Sequence, residues 1–142
     1  MKEINDLSLL EEDEAVITAI SDGLTEYNRS TRPDPDAAPL ILSIENEGEV
    51  VAGALGRSAY GWMRVDVLWV KESLRGEGYG EALMQRIEDI SRARGCRAIH
   101  LDTHDFQAPG FYLKLGYEVF AELPDYPEGE KHYYMKKSLE QK

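Results

Sequence analysis

The 142 residues carry a formal charge of −11, from 27 acidic and 16 basic side chains, and 42% are hydrophobic. That is enough chain for one core, and the wrong charge for nucleic acid or an anionic membrane as main partner, since both select a basic face. No run approaches the roughly 20 apolar residues that cross a bilayer, the start lacks the apolar run of a secretory leader, and the lone Cys96 excludes an internal disulfide and a Cys-rich zinc site, so a reducing cytoplasm is expected.

Residues 2–7 are expected as a short first strand, followed by Ser8 and Glu11 at the spacing of a helix capping box. Val16, Ile20, Leu24 and Tyr27 then recur at helical spacing and predict one amphipathic helix ending near Asn28. The stretch 29–39 holds three prolines among polar residues and reads as a loop, because proline removes a backbone donor and disfavours helix in the residue before it. Three strands are expected over 40–46, 49–57 and 62–70, joined by turns at Glu47-Gly48 and Tyr60-Gly61, as an antiparallel meander. From Gly80 the stripe Leu83, Ile87, Ile90 predicts a helix, with Arg92 and Arg94 in its last turn and Gly95 placed to close it. A strand over 96–102 completes a strand, loop, helix and strand crossover, which requires that strand to run parallel to 62–70. A short helix at 108–116, a strand at 117–123, a loop and a last strand over 131–139 end the chain, and no repeat or break divides residues 1–142, so a single domain is expected. Cys96, beside the helix-ending glycine, reads as a small buried hydrophobe.

Between the third strand and the second helix stands Arg75-Gly76-Glu77-Gly78-Tyr79-Gly80-Glu81. A glycine-rich turn entering a helix suits an anion, since the first helical amides lack partners and the helix dipole favours negative charge. A Walker A loop would need Lys and then Ser or Thr after Gly80, where Glu81 and Ala82 stand. A dinucleotide loop begun at Gly76 would need Gly or Ala at 81, and the antiparallel strands before it are the wrong setting.

Arg75-x-x-Gly78-x-Gly80 at the exit of an apolar strand ending Leu68-Trp69-Val70, with Phe111-Tyr112-Leu113-Lys114-Leu115-Gly116-Tyr117 downstream, resembles the GNAT superfamily of acetyl-CoA-dependent N-acetyltransferases, over about residues 40–138. The resemblance implies an α+β fold: a mixed, mostly antiparallel sheet of six to seven strands flanked by helices, with a splayed parallel pair at the cofactor cleft. It implies acetyl-CoA as cosubstrate, with the amides of Gly76, Glu77, Gly78, Tyr79, Gly80 and Glu81 around the pyrophosphate, Arg75 adding positive charge, and the Glu77 and Glu81 side chains turned away. The pantetheine arm would lie along the main chain near Leu68 and Val70, one of whose amides would polarise the thioester carbonyl. Tyr112 would be the general acid for the departing thiolate. Asp105 stands where relatives often carry Asn seven residues ahead of that tyrosine, and would cap the following helix and orient the cofactor. The echo of a bacterial branch in Asp105-Phe106-Gln107-Ala108-Pro109-Gly110-Phe111-Tyr112 names no acceptor.

The general base is expected at Asp66, which alternation along the strand puts on the face of Leu68 and Val70, with Asp102 and His104 as further candidates. No third ligand stands at metal spacing from His104 and Asp105, so no metal is expected. The acidic balance suits a cationic small-molecule or peptide amine, with Tyr27, the proline-rich loop, Tyr60, Trp62 and Tyr126 as candidate pocket walls. Two other classes compete: an acyl-CoA-binding sensor with little catalysis, which the intact Tyr112 disfavours, and an interaction domain using its last strand as a homodimer edge.

Overall fold

A computed structural model describes residues 7–140, and the strand expected over 2–7 falls outside the described residues but for Leu7. Two compact units result, one ending at Pro35 and the other starting at Asp36.

The first unit holds α1, Glu14–Thr31. Its N-cap is Asp13, whose carboxylate accepts from the Val16 amide at 3.2 Å, and not Ser8 as the capping-box spacing predicts. An aspartate serves better there, because it satisfies an orphan amide and sets a negative charge at the positive end of the helix. The helix passes Asn28 by three residues and stops at Arg32, which has left the helical region (φ −144°, ψ 78°), a region that the following Pro33 disfavours.

The second unit holds, among the described residues, one sheet, two α-helices and a single 3-10 turn at Glu72–Leu74. Its strands are β1 (Ala38–Asn46), β2 (Glu49–Ala59), β3 (Trp62–Val70), β4 (Ala98–His104), β5 (Glu118–Pro124) and β6 (Lys131–Ser138), with α2 (Tyr79–Ala93) between β3 and β4 and α3 (Pro109–Lys114) between β4 and β5. The spatial order is β1-β2-β3-β4-β6-β5, and β3 with β4 is the parallel pair. The mixed α+β sheet expected from the chain order is therefore present, with six strands among the described residues. The competing reading that uses the last strand as an edge loses its premise: β6 pairs with β4 on one side and β5 on the other, which leaves β5 outermost.

Both predicted hairpin turns form. Glu47 and Gly48 (φ 53° and 81°), and Tyr60 and Gly61 (φ 52° and 80°), have the double positive φ of the turn whose twist suits a two-residue hairpin. α2 lays Met84 and Ile87 onto Leu40, Ala54, Met63, Val65, Ile99, Leu101 and Met135 from five strands, all of them buried. Gly95 closes α2 in the left-handed region (φ 77°), where the Cys96 amide reaches back to the Ser91 carbonyl at 2.9 Å. Cys96 is buried, as expected.

A β-bulge sets up the site. Leu55 on β2 faces Val67, and the next residue, Gly56, faces Val65, so Asp66 has no opposite number. Gly56 makes the bulge sterically feasible: any Cβ there would collide with the Arg64 carbonyl oxygen. The extra residue also changes which side chains face the core, odd-numbered Met63 and Val65 before it and even-numbered Leu68 after it.

Candidate active site

The parallel ladder of β3 and β4 is short, running from Trp62 opposite Ala98 to Val65 opposite Leu101. Beyond Val65, β3 stays with β2 as far as Val70 opposite Ala52, while beyond Leu101 β4 stays with β6 as far as His104 opposite His132. The two strands fork, and a cleft of about 900 Å³ fills the gap. The first residues past the last pair are Asp66 on one arm and Asp102 on the other, and both line the cleft.

The glycine loop lies at the end of the β3 arm. Arg75 Nε donates to the Val70 carbonyl at 3.0 Å and ties the loop to the strand end. Gly76 and Gly78 take φ of 81° and 89°, a region that side chains oppose, and a Cβ on either would meet no atom within 4 Å, so the requirement is for the backbone turn itself. Gly78 is the N-cap of α2, and the first intrahelical bond runs from the Ala82 amide to the Gly78 carbonyl at 3.0 Å. The amides of Tyr79, Gly80 and Glu81 consequently have no acceptor within the helix. Gly80 serves a different need: a Cβ would lie 3.2 Å from Phe111 Cζ, so a glycine lets α2 start against α3. Arg75, Gly76, Gly78, Tyr79, Gly80 and Glu81 all line the cleft, whereas Glu77 is exposed outside it. Glu81, expected to turn away, stands at the cleft wall.

Tyr112 projects from α3 into the same cleft, with its ring edge-on to Phe111 and Tyr117 at centroid distances of 5.1 and 5.9 Å. Burial, and then the negative charge of Asp102, push its phenol up to about 12. Leu68 and Val70 also line the cleft, with Leu68 packed against the core.

Asp66 and Asp105 depart from expectation. Alternation would place Asp66 on the face of Leu68, but the bulge resets the alternation, and Asp66 lies beside Arg64, whose Nε donates to Oδ1 at 2.7 Å. Asp105 does not line the cleft or cap α3, whose N-cap is Ala108 without a side-chain bond. Its carboxylate accepts from the Tyr133 hydroxyl at 2.6 Å and the Lys131 amide at 2.7 Å, so it joins the end of β4 to the start of β6. Those two bonds, the Tyr133 one foremost, hold Asp105 below the usual carboxylate range, and the same hydroxyl bond raises Tyr133 to about 12.

The profile of the Acetyltransferase (GNAT) family matches residues 6–117. The chain is a GNAT acetyltransferase. It is 42% identical over 130 residues to blasticidin-S acetyltransferase of Streptomyces morookaense, covering 87% of this chain and 96% of that one. The crystal structure of an acetyltransferase from Agrobacterium tumefaciens superposes with a TM-score of 0.85 at 30% identity, over 97% of this chain and 99% of that one. An aminoglycoside 6′-N-acetyltransferase solved with coenzyme A shares the fold, with a TM-score of 0.62 at 19% identity over 95% and 99% of the two chains.

In this acetyltransferase the cleft has walls that the sequence reading did not assign. Trp69, Phe106, Gln107 and Phe111 line it, while Tyr60, Trp62 and Tyr126 do not. Gln107 holds the turn after β4, its Oε1 accepting from Thr103 Oγ1 at 3.1 Å and the His104 amide at 2.8 Å. Trp62 stacks edge-on to His100 at 5.6 Å, one pair behind the fork. Burial, followed by the Arg64 charge, lowers the His100 pKa, against the pull of Asp66 and Asp102. Alternation along β4, with Ile99, Leu101 and Thr103 buried, would have found the row His100, Asp102, His104 on the other face.

Proposed function

We propose that the chain transfers an acetyl group from acetyl-CoA to a primary amine of a cationic small molecule or peptide, by direct attack while both are bound. The observation that carries this reading is the fork itself: one cleft lined by the start of α2, with its unpartnered amides, by Tyr112 and by the two carboxylates Asp66 and Asp102. The residues present fit the cosubstrate, because the loop is open above Gly76 and Gly78 and the α2 N-terminus faces the cleft with Arg75 beside it.

When bound, acetyl-CoA supplies a reactive thioester carbon. The amides from Gly76 to Glu81, with Arg75, grip its pyrophosphate, and the main chain near Leu68 and Val70 aligns the pantetheine arm. An amide of Leu68 or Val70 polarises the acyl carbonyl, and the Tyr112 hydroxyl protonates the leaving sulfur. Asp66, with one oxygen engaged by Arg64, adds negative charge that favours a cationic acceptor.

The whole chain acts as one acetyltransferase domain, a reading supported by the family match that runs from residue 6 to 117 through both units. The single cysteine supports work in the cytoplasm, and no helix among the described residues is long and apolar enough to cross a membrane.

Calorimetric titration with acetyl-CoA, followed by free-thiol release against amines, tests the reading. Blasticidin S leads the panel because a relative 42% identical is named for it, with polyamines, aminoglycosides and lysine peptides after it. Saturable acetyl-CoA binding and amine-dependent thiol release are expected. Lack of binding overturns the reading, and binding without release on the whole panel transfers it to an acyl-CoA sensor.

A further inference from the structure

Asp102 is one end of a chain of hydrogen bonds that leads out of the cleft into the β4–β6 ladder. Its Oδ2 lies 2.8 Å from His132 Nε2, His132 Nδ1 lies 3.1 Å from His104 Nδ1, and His104 Nδ1 lies 2.9 Å from the Tyr126 carbonyl oxygen. A carbonyl only accepts, so His104 must carry its proton on Nδ1. His132 Nδ1, facing that same proton, must accept, and its hydrogen therefore stands on Nε2 and is donated to Asp102. One carbonyl thus fixes both tautomers and the direction of every bond up to the carboxylate.

The setting holds the rings in place. His132 is 5% exposed and is packed by the rings of His104, Tyr134 and Tyr126 at centroid distances of 4.2, 4.9 and 5.0 Å. His104 is stacked between Phe106 at 4.9 Å and Tyr126 at 5.3 Å. The charged and titratable groups facing this pair are Asp102 on β4 and the Tyr126 and Tyr134 rings, and Asp105 is engaged by Tyr133 and Lys131. A buried imidazole with both nitrogens used, whose one charged partner among the described residues is a carboxylate half exposed to the cleft (51%), is an expensive way to join two strands that the ladder already joins. It is a sound way to aim a carboxylate.

We propose that Asp102 is the group that receives the acceptor's proton, and that His132 and His104 are positioning residues that fix its orientation. This rests on the acetyltransferase reading above. As the acceptor nitrogen bonds to the acetyl carbon and the carbon–sulfur bond breaks, the surplus proton on nitrogen passes to Asp102 and the sulfur takes the Tyr112 proton. Exchange with solvent then removes the proton from Asp102 and restores that of Tyr112. Asp66 lacks this support: it lies on the other arm, bound to a half-exposed arginine (54%).

The test combines kinetics with ¹⁵N NMR of the histidine rings. In the wild-type chain without ligand, His132 is expected protonated on Nε2 and His104 on Nδ1, and a proton on His132 Nδ1 overturns the proposal whatever the turnover. Asp102→Asn is expected to lower kcat on the order of 10²-fold, as loss of a positioned proton acceptor does, with acetyl-CoA affinity retained. His132→Phe is expected to lower kcat about tenfold, and His132→Gln, which keeps a donor near the Nε2 position, to recover most of that loss, which a merely structural role would not produce. Asp102→Asn at wild-type kcat, or equal losses in His132→Gln and His132→Phe with acetyl-CoA binding intact, overturns this proposal alone. Failure of the wild-type chain to bind acetyl-CoA overturns the parent reading and this one with it.

Discussion

Val65 and Leu101 are the last residues of β3 and β4 to face each other, and everything the site needs follows from their being last. One residue later the chain presents a carboxylate on each arm, and the next few residues of β3 offer main chain with no partner on the β4 side. Tyr112, on α3, lines the same cleft as both arms.

Tyr112→Phe is expected to reduce kcat on the order of 10²-fold and to leave acetyl-CoA affinity within about a factor of two, because the ring keeps its packing and only the proton is lost. The phenol is raised to about 12, first by burial and then by Asp102, so it stays protonated through neutral and moderately alkaline solution. A pH–rate profile of the wild-type enzyme is expected to show no loss from phenol ionisation below that value.

The loop glycines are expected to fail in two distinguishable ways. Gly78→Ala adds no clash, but it forces a side chain onto φ 89°, at a cost of about 1 kcal/mol, and it weakens acetyl-CoA binding by disturbing the amides. Gly80→Ala instead presses on Phe111 at 3.2 Å, the neighbour of Tyr112, so kcat is expected to suffer alongside affinity. Calorimetry and steady-state kinetics on the two variants separate a grip defect from an alignment defect.

Glu88 on α2 is buried, with 7% of its side chain exposed, and meets Lys137 of β6 at 2.9 Å and Arg92 at 3.6 Å. Lys137→Met leaves that carboxylate with its weaker partner only, and is expected to lower stability by about 3 kcal/mol in urea denaturation. Glu88→Leu combined with Lys137→Met is expected to recover much of the loss, since removing both charges abolishes the desolvation penalty as well.

Acid is expected to loosen the join between β4 and β6. The folded chain holds Asp105 below its ordinary pKa, so its stabilising contribution is complete above the ordinary carboxylate value and disappears as pH falls toward and through the lowered one. Melting temperatures taken across that window are expected to drop less steeply in Tyr133→Phe, which removes the principal cause of the shift.

The elements were legible because their signals are local. Apolar period, glycine turns and a closing Gly95 bounded β3 over 62–70 and α2 to within a residue or two, and the crossover rule supplied the parallel pair. The glycine loop and Tyr112 were legible through motif spacing, and both stand at the cleft. Asp66 was misplaced because a bulge depends on how β2 and β3 register, which no count along β3 alone reveals. Asp105 was misassigned for a related reason: its partners, Lys131 and Tyr133, lie 26 and 28 residues away, brought near only by the β4–β6 pairing. His132, in a strand that read as ordinary, gained its role from the same pairing opposite His104.

The bulge at Asp66 divides β3 into two stretches of opposite phase. Before it, the strand is bound into the sheet on both sides, and substitutions there are felt as changes in packing. After it, the strand presents main chain to the cleft, and nearly any side chain that fits the walls preserves that offer. Under the proposed function, cosubstrate capture falls to backbone and acceptor choice to a few side chains around the fork, an arrangement in which a lineage can exchange the molecule it modifies while keeping the donor it uses. In engineering terms, Trp69, Phe106 and Asp66 are the positions to randomise, and Asp102 and the bulge with Gly56 are the positions to leave alone.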